Sequence, residues 1–198
     1  IGFANIAQGD TILKPDLSTF CILPDDTNYT TARVICDVYQ SNKVPLSVDP
    51  RNILKRAASM LRHSGYEFIT SCELEFFLIK QDKTQHFPTQ FLRKNLDGKT
   101  YCDHSDTFAT YPILIEMLQV MEGMGLCPEK THHEVSPGQH EITFKYADAL
   151  TTADRIVCAK NIIRTVAARY GYEPCFMPKP FADLNGSGLH TNFSLQGL

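Results

Sequence analysis

Glu73 and Glu75 flank Leu74 inside an apolar stretch, and downstream the run His133-Glu134-Val135-Ser136-Pro137-Gly138-Gln139 leads into His140-Glu141. Carboxylates set in or beside segments that read as buried strands lose hydration, at a cost of roughly several kcal/mol each, unless a countercharge or a proton meets them. Divalent cations answer that demand, because hard ions prefer carboxylate oxygens. A zinc hydrolase built on His132, His133 and Glu134 is the rival chemistry. Adjacent histidines face opposite sides of a strand, unlike the i, i+4 pair on a helix that zinc hydrolases use.

Positioning these side chains requires a sheet. Tyr66 to Ile79 alternates, so that Phe68, Cys72, Leu74, Phe76 and Leu78 share one face while Glu73, Glu75 and Phe77 share the other, the two acids about 7 Å apart. Glu141 to Tyr146 alternates in the same way. Asp49-Pro50 opens a helix over 50–64 that Gly65 closes. Further helices are expected over 111–123, from Ile113, Leu114, Met117, Leu118 and Met121, and over 148–170, ended by Gly171. Residues 1 to about 45 hold short β-like runs broken by turns. The stretch 81–110, with its Leu96-Asp97-Gly98-Lys99 turn, reads as a long functional loop. The order indicates an α+β fold whose sheet carries the acids.

Net charge is −3 with both signs interspersed, giving no electrostatic case for a nucleic-acid or anionic-membrane partner. No apolar run approaches a membrane span, and the first residues lack a secretion signal. The seven cysteines are widely spaced with no C-x-x-C pair, which fits a reducing, cytoplasmic setting better than a disulfide framework.

Cys72-Glu73-Leu74-Glu75-Phe76-Phe77, His132 to Glu141, and Met177-Pro178-Lys179-Pro180 followed by Asn185-Gly186-Ser187-Gly188-Leu189-His190 together resemble glutamine synthetases, especially their type I branch. The resemblance spans nearly the whole chain. It implies the end of an N-terminal β-grasp domain over 1–47 and the first half of a guanido kinase-like catalytic domain over 48–198, with an antiparallel sheet of metal-binding acids flanked by helices. It also implies ATP-dependent joining of ammonia to the glutamate γ-carboxyl through γ-glutamyl phosphate, with two magnesium or manganese ions. Glu75, Glu134 and Glu141 would hold one ion; Glu73 and His190 would hold the other, with a further Glu beyond residue 198. By the same resemblance Asn185 and Gly186 meet glutamate, and Glu129, Tyr146 and Ser194 lie beside the nucleotide. Tyr101 falls near the ammonia pocket. Asp16 matches an aspartate that binds and deprotonates ammonium in a neighbouring subunit of a ring-like homo-oligomer. Asn192 departs from the type I pattern, which often has histidine there. Family members are more than twice as long, so the chain by itself is expected to be catalytically incomplete. Other readings are a ligase for a different amine and a non-catalytic, lengsin-like structural relative. On packing grounds alone Tyr101 and Tyr146 could be core aromatics, His132 and His133 solvated loop residues, and Asp16 a turn residue.

Overall fold

The computed structural model describes residues 10–23, 31–81, 97–103 and 110–198. Most of the loop expected over 81–110 therefore lies outside the described residues. Contacts divide the chain into two compact units: Ile1–Ile69 with Asp148–Asp154 and Ser194–Leu198, and Thr70–Ala147 with Arg155–Phe193.

In the first unit, β1 (Ile12–Ile22) pairs antiparallel with β2 (Ala32–Tyr39), and the register slips between Asp16 and Cys21. Helix α1 (Pro50–His63) begins as its sequence requires: the Asp49 side chain accepts from Asn52 N–H at 2.9 Å, and Pro50 takes a first-turn position where no N–H is missed. The helix presents Arg51 and Lys55 to three carboxylates. The Arg51 guanidinium bonds Asp16 at 2.8 Å, Asp154 at 2.9 and 3.1 Å, and Asp37, while Lys55 reaches Asp37 at 2.6 Å. With its side chain only 11% exposed, Arg51 is the hub of this network.

A six-stranded sheet is organised around β3 (Tyr66–Lys80). Edge strand β4 (Pro128–His133), β5 (Gln139–Phe144), β3 and the two-residue β6 (Ala147–Asp148) follow in that order, and β7 (Tyr172–Cys175) and β8 (Leu189–Gly197) also pair with β3. The even-numbered face of β3 carries Cys72, Leu74, Phe76 and Leu78 into a core with Ile113, Leu114, Met117 and Met121 of α2 (Tyr111–Gly123) and Ile156, Ala159, Ile163 and Val166 of α3 (Ala149–Arg169). On the odd face Phe77 and Ile79 pack on Cys175, Phe181 and Leu184. Glu73 and Glu75 occupy the same face one step back, where apolar cover gives way to acid.

Three sequence expectations shift. β5 starts and ends two residues earlier than the expected 141–146, because Gly138 at φ +70° turns the chain directly into the strand, and Tyr146 falls beyond its end. Strands β4 and β7 were not anticipated: Pro-Glu-Lys-Thr-His-His is too polar to show alternation, and Pro174 marks β7 as an edge strand. His132 and His133 accordingly belong to a strand and are not solvated loop residues.

Candidate metal centre

Strand register builds the site. Glu75 stands directly across from Glu141, Glu141 across from His132, and Glu73 across from Thr143, so three adjacent strands contribute to one row. The turn after β4 returns Glu134 to the same row through the bond from Glu134 N–H to Gln139 O at 2.8 Å. His132, Glu134 and Glu141 can bring ligand atoms within 4.8 Å of one another. His190 on β8 approaches from the other edge of β3, its Nδ1 3.0 Å from Glu73 Oε2.

The electrostatics are lopsided. Asn192 donates to Glu73 Oε1 at 2.8 Å, and that bond together with His190 holds the Glu73 carboxyl below its ordinary range. Glu141 is buried, and burial pushes its carboxyl up; His132 pulls against this, and repulsion from Glu73, Glu134 and Glu75 adds to the rise. Glu73 raises His190 in return. Among the described residues no lysine or arginine forms an ion pair with Glu75 or Glu141. The cluster thus carries more negative charge than its protein partners balance.

The donor set fits hard divalent ions: mostly carboxylates, with the His132 and His190 imidazoles at its two sides. Gly188 supports the fit. A Cβ there would stand 2.9 Å from both Glu75 Oε1 and His190 Nε2, so any larger residue would occupy the space on which these two groups converge.

His133 faces the opposite way from His132. Its ring is fully buried, with Nδ1 2.5 Å from the Glu134 carbonyl and Nε2 3.0 Å from Asp97 Oδ1, and Gly138 N–H donates to that same oxygen at 2.6 Å. Burial opposes charge on both partners, but their mutual bond wins, raising His133 and lowering Asp97. His140, buried beside them, is driven far down by burial and stays neutral. This is an internal ion pair fixing residues 97–103 to β4. Asp97 was read only as a turn residue.

The remaining expected site residues disperse. The Tyr101 ring, 56% exposed, meets His132 edge-on at 5.5 Å, which links it to the acid row and rules out a core role. Glu129 and Tyr146 sit at the same end of the β4–β5 ladder, with Tyr146 77% exposed and so not a core aromatic either. Ser194 lies exposed on β8. Asn185 N–H donates to Ser136 Oγ at 2.8 Å, and the Gly186 carbonyl accepts from Gln139. Asp16 lies within β1, belongs to the Arg51 network and also accepts from Ser18 Oγ at 2.6 Å, so it is an ion-pair partner on a strand and not a turn residue.

Comparison with known proteins extends the geometry to ancestry. The glutamine synthetase β-grasp domain model matches residues 1–41, and the glutamine synthetase catalytic domain model matches residues 47–197. A glutamine synthetase of Methanococcus maripaludis is 41% identical over 98% of this chain and 43% of its own length, and one of Staphylococcus aureus is 42% identical with the same coverage. The chain therefore spans less than half the length of these relatives. Among solved structures, a GmaS/ADP complex superposes with a TM-score of 0.84 at 30% identity, over 98% of this chain and 44% of the other. Plasmodium falciparum glutamine synthetase gives 0.83 at 28%, over 99% and 43%. With the two domain models matched in sequence over nearly the whole chain, and relatives about 40% identical along it, this chain belongs to the glutamine synthetase family.

Proposed function

We propose that the chain contributes the metal-binding half of a ligase that joins ammonia to the γ-carboxyl of glutamate at the expense of ATP, through γ-glutamyl phosphate. The row Glu75, Glu141, Glu134, flanked by Glu73 and His190 and without a lysine or arginine ion-pair partner among the described residues, carries this reading. Two magnesium or manganese ions, when bound, would neutralise polyphosphate charge and polarise the transferred phosphoryl group. Glu75, Glu134 and Glu141 suit one ion, and Glu73 with His190 the other. Asn192 and His190 orient the Glu73 carboxylate from its two oxygens. Asn185 and Gly186 offer glutamate a loop pinned to Ser136 and Gln139. Tyr101, placed against His132, is assigned to the amine side. Glu129, Tyr146 and Ser194 are assigned to the nucleotide, a reading supported by the likeness to the GmaS/ADP complex.

Asp16 is proposed to act at a neighbouring subunit's site in a ring-like homo-oligomer, its carboxylate held in place by Arg51. The free cysteines suit a cytoplasmic location. A purely structural, lengsin-like role is disfavoured, since the acid row is a liability without cations. The test is phosphate release from ATP by the full-length protein, dependent on glutamate and on Mg2+ or Mn2+, with ammonia compared against larger amines. Absence of glutamate-dependent release with every amine rejects the proposal.

A further inference from the structure

Gln139 enters the roles above only as an anchor of the Asn185–Gly186 loop, yet three parts of the site meet on it. It opens β5, is 1% exposed and stands across from Phe77. Its backbone closes the turn that carries Glu134: the Gln139 carbonyl accepts from Glu134 N–H at 2.8 Å, and its own N–H donates to Ser136 O at 3.0 Å. Its side-chain Nε2 donates to Glu75 Oε2 at 3.1 Å and to the Gly186 carbonyl at 2.9 Å, with Ser187 Oγ at 3.3 Å. A carboxylate and a carbonyl can only accept, so the amide end between them must be nitrogen.

The loop it grips has little freedom. Ser187 N–H donates to Pro178 O at 2.9 Å, and a Cβ on Gly186 would stand 2.5 Å from that same oxygen. The other end of the Gln139 amide is different: Oε1 is buried and has no hydrogen-bond partner among the described residues. A side chain present for stability alone gains nothing from a buried, unmet acceptor, and an apolar chain of the same length would fill the space without it. The donors are what this position uses.

We infer that Gln139 is a positioning residue whose side chain sets the Glu75 carboxylate in register with the Asn185–Ser187 loop, coupling dication binding to glutamate binding. The glutamate half of this inference rests on the ligase reading; the dication half does not. Gln139→Met keeps length and burial and removes the donors. In the full-length protein, Mn2+ titration followed by electron paramagnetic resonance should show affinity weakened about tenfold, the scale of losing a bond to a metal ligand. KM for glutamate should rise by about tenfold while KM for ATP stays within about twofold. The melting temperature in EDTA should stay near wild type. Gln139→Asn retains the amide but cannot reach Glu75, so it should behave as the Met variant does, and it replaces that variant if Met fails to fold. Wild-type Mn2+ affinity with an unchanged glutamate KM in either variant overturns the inference, as does a uniform loss of every parameter alongside a fallen melting temperature. Should wild type release no phosphate with glutamate, the ligase reading fails, and the Mn2+ titration still decides whether Gln139 sets Glu75.

Discussion

Removing one charge from the acid row should invert its effect on stability when a dication is added. Glu141→Gln is the cleanest perturbation, because Glu141 is 6% exposed, faces Glu75 directly across the ladder and is raised by burial and by three neighbouring carboxylates. Residues directly opposite on antiparallel strands have Cβ atoms about 5 Å apart, and at an effective dielectric constant of about 20 one pair of like charges at that distance repels by about 3 kcal/mol. His132 offsets part of this, so relief of about 1–2 kcal/mol is the working value in EDTA, or roughly 2–8 °C in melting temperature for a domain of this size. Linkage sets the other arm: Mn2+ at a hundred times its Kd stabilises wild type by about 2.7 kcal/mol, whereas a hundredfold weaker site gains only about 0.4 kcal/mol at the same concentration. The variant should melt above wild type in EDTA and below it in Mn2+, with Glu75→Ala also losing most of the Mn2+ shift. The sign with pH follows from the raised carboxyl: the folded state holds that proton more tightly, so acid removes the wild-type penalty. The variant's advantage in EDTA should shrink as pH falls toward the ordinary carboxylate range. Calorimetry of both proteins with EDTA and with Mn2+ decides. A variant destabilised equally in both conditions refutes the argument that only dications relieve the row.

Gly188→Ala should leave the fold intact, because the atoms a Cβ meets are the ends of Glu75 and His190, which can swing away. The same movement displaces two of the proposed ligands, so Mn2+ affinity should fall about 10–100-fold by titration. Arg51→Met removes the arginine from Asp154 and leaves Asp16 and Asp37 to Lys55 alone, and should cost about 3–5 kcal/mol in urea unfolding; a loss below about 1 kcal/mol would mean the network is solvated. Asp16 is lowered to about 2 by the Ser18 hydroxyl first and Arg51 second, so its contribution is present above its ordinary value and is lost as pH falls toward 2. Asp16→Asn should therefore cost about 1 kcal/mol near neutral pH after discounting for solvent screening, with the difference from wild type vanishing in acid melts.

The sheet that carries the site was legible because β3 alternates cleanly: Cys72, Leu74, Phe76 and Leu78 are buried, and Glu73 and Glu75 share the opposite face. Helix α1 was legible from Asp49-Pro50, whose capping chemistry is local. What stayed hidden depends on distant partners. β4 acquires its strand identity from pairing with β5, not from its own polar residues, and that pairing separates His132 from His133. Asp97 reads as a turn until His133 is placed beside it. Gln139 gives no signal at all, since a neutral amide next to a glycine has no pattern that distinguishes a buried bridge from a solvated turn. The Arg51 network joins residues from β1, β2, α1 and α3, and no spacing rule links them. Asn192 looked like a departure from a motif, yet here it supplies a donor to Glu73.

The row is graded along the sheet. At Glu73 two donors, Asn192 and His190, already meet the carboxylate and hold it ionised, so a cation arriving there exchanges one set of partners for another. At Glu141 the group is buried among like charges and its ionised form is disfavoured, so a cation there relieves a standing penalty. Under the two-ion proposal, cations at carboxylates on neighbouring strands would therefore meet different free energies from the same sheet, and the Glu75–Glu134–Glu141 end would have more to gain. Because Glu75 lies between Glu73 and Glu141 and is itself held by Gln139, occupancy of the buried end changes the charge that the exposed end faces. Unequal affinity and communication between the ends both follow from which strand each acid occupies and how deeply that strand is covered.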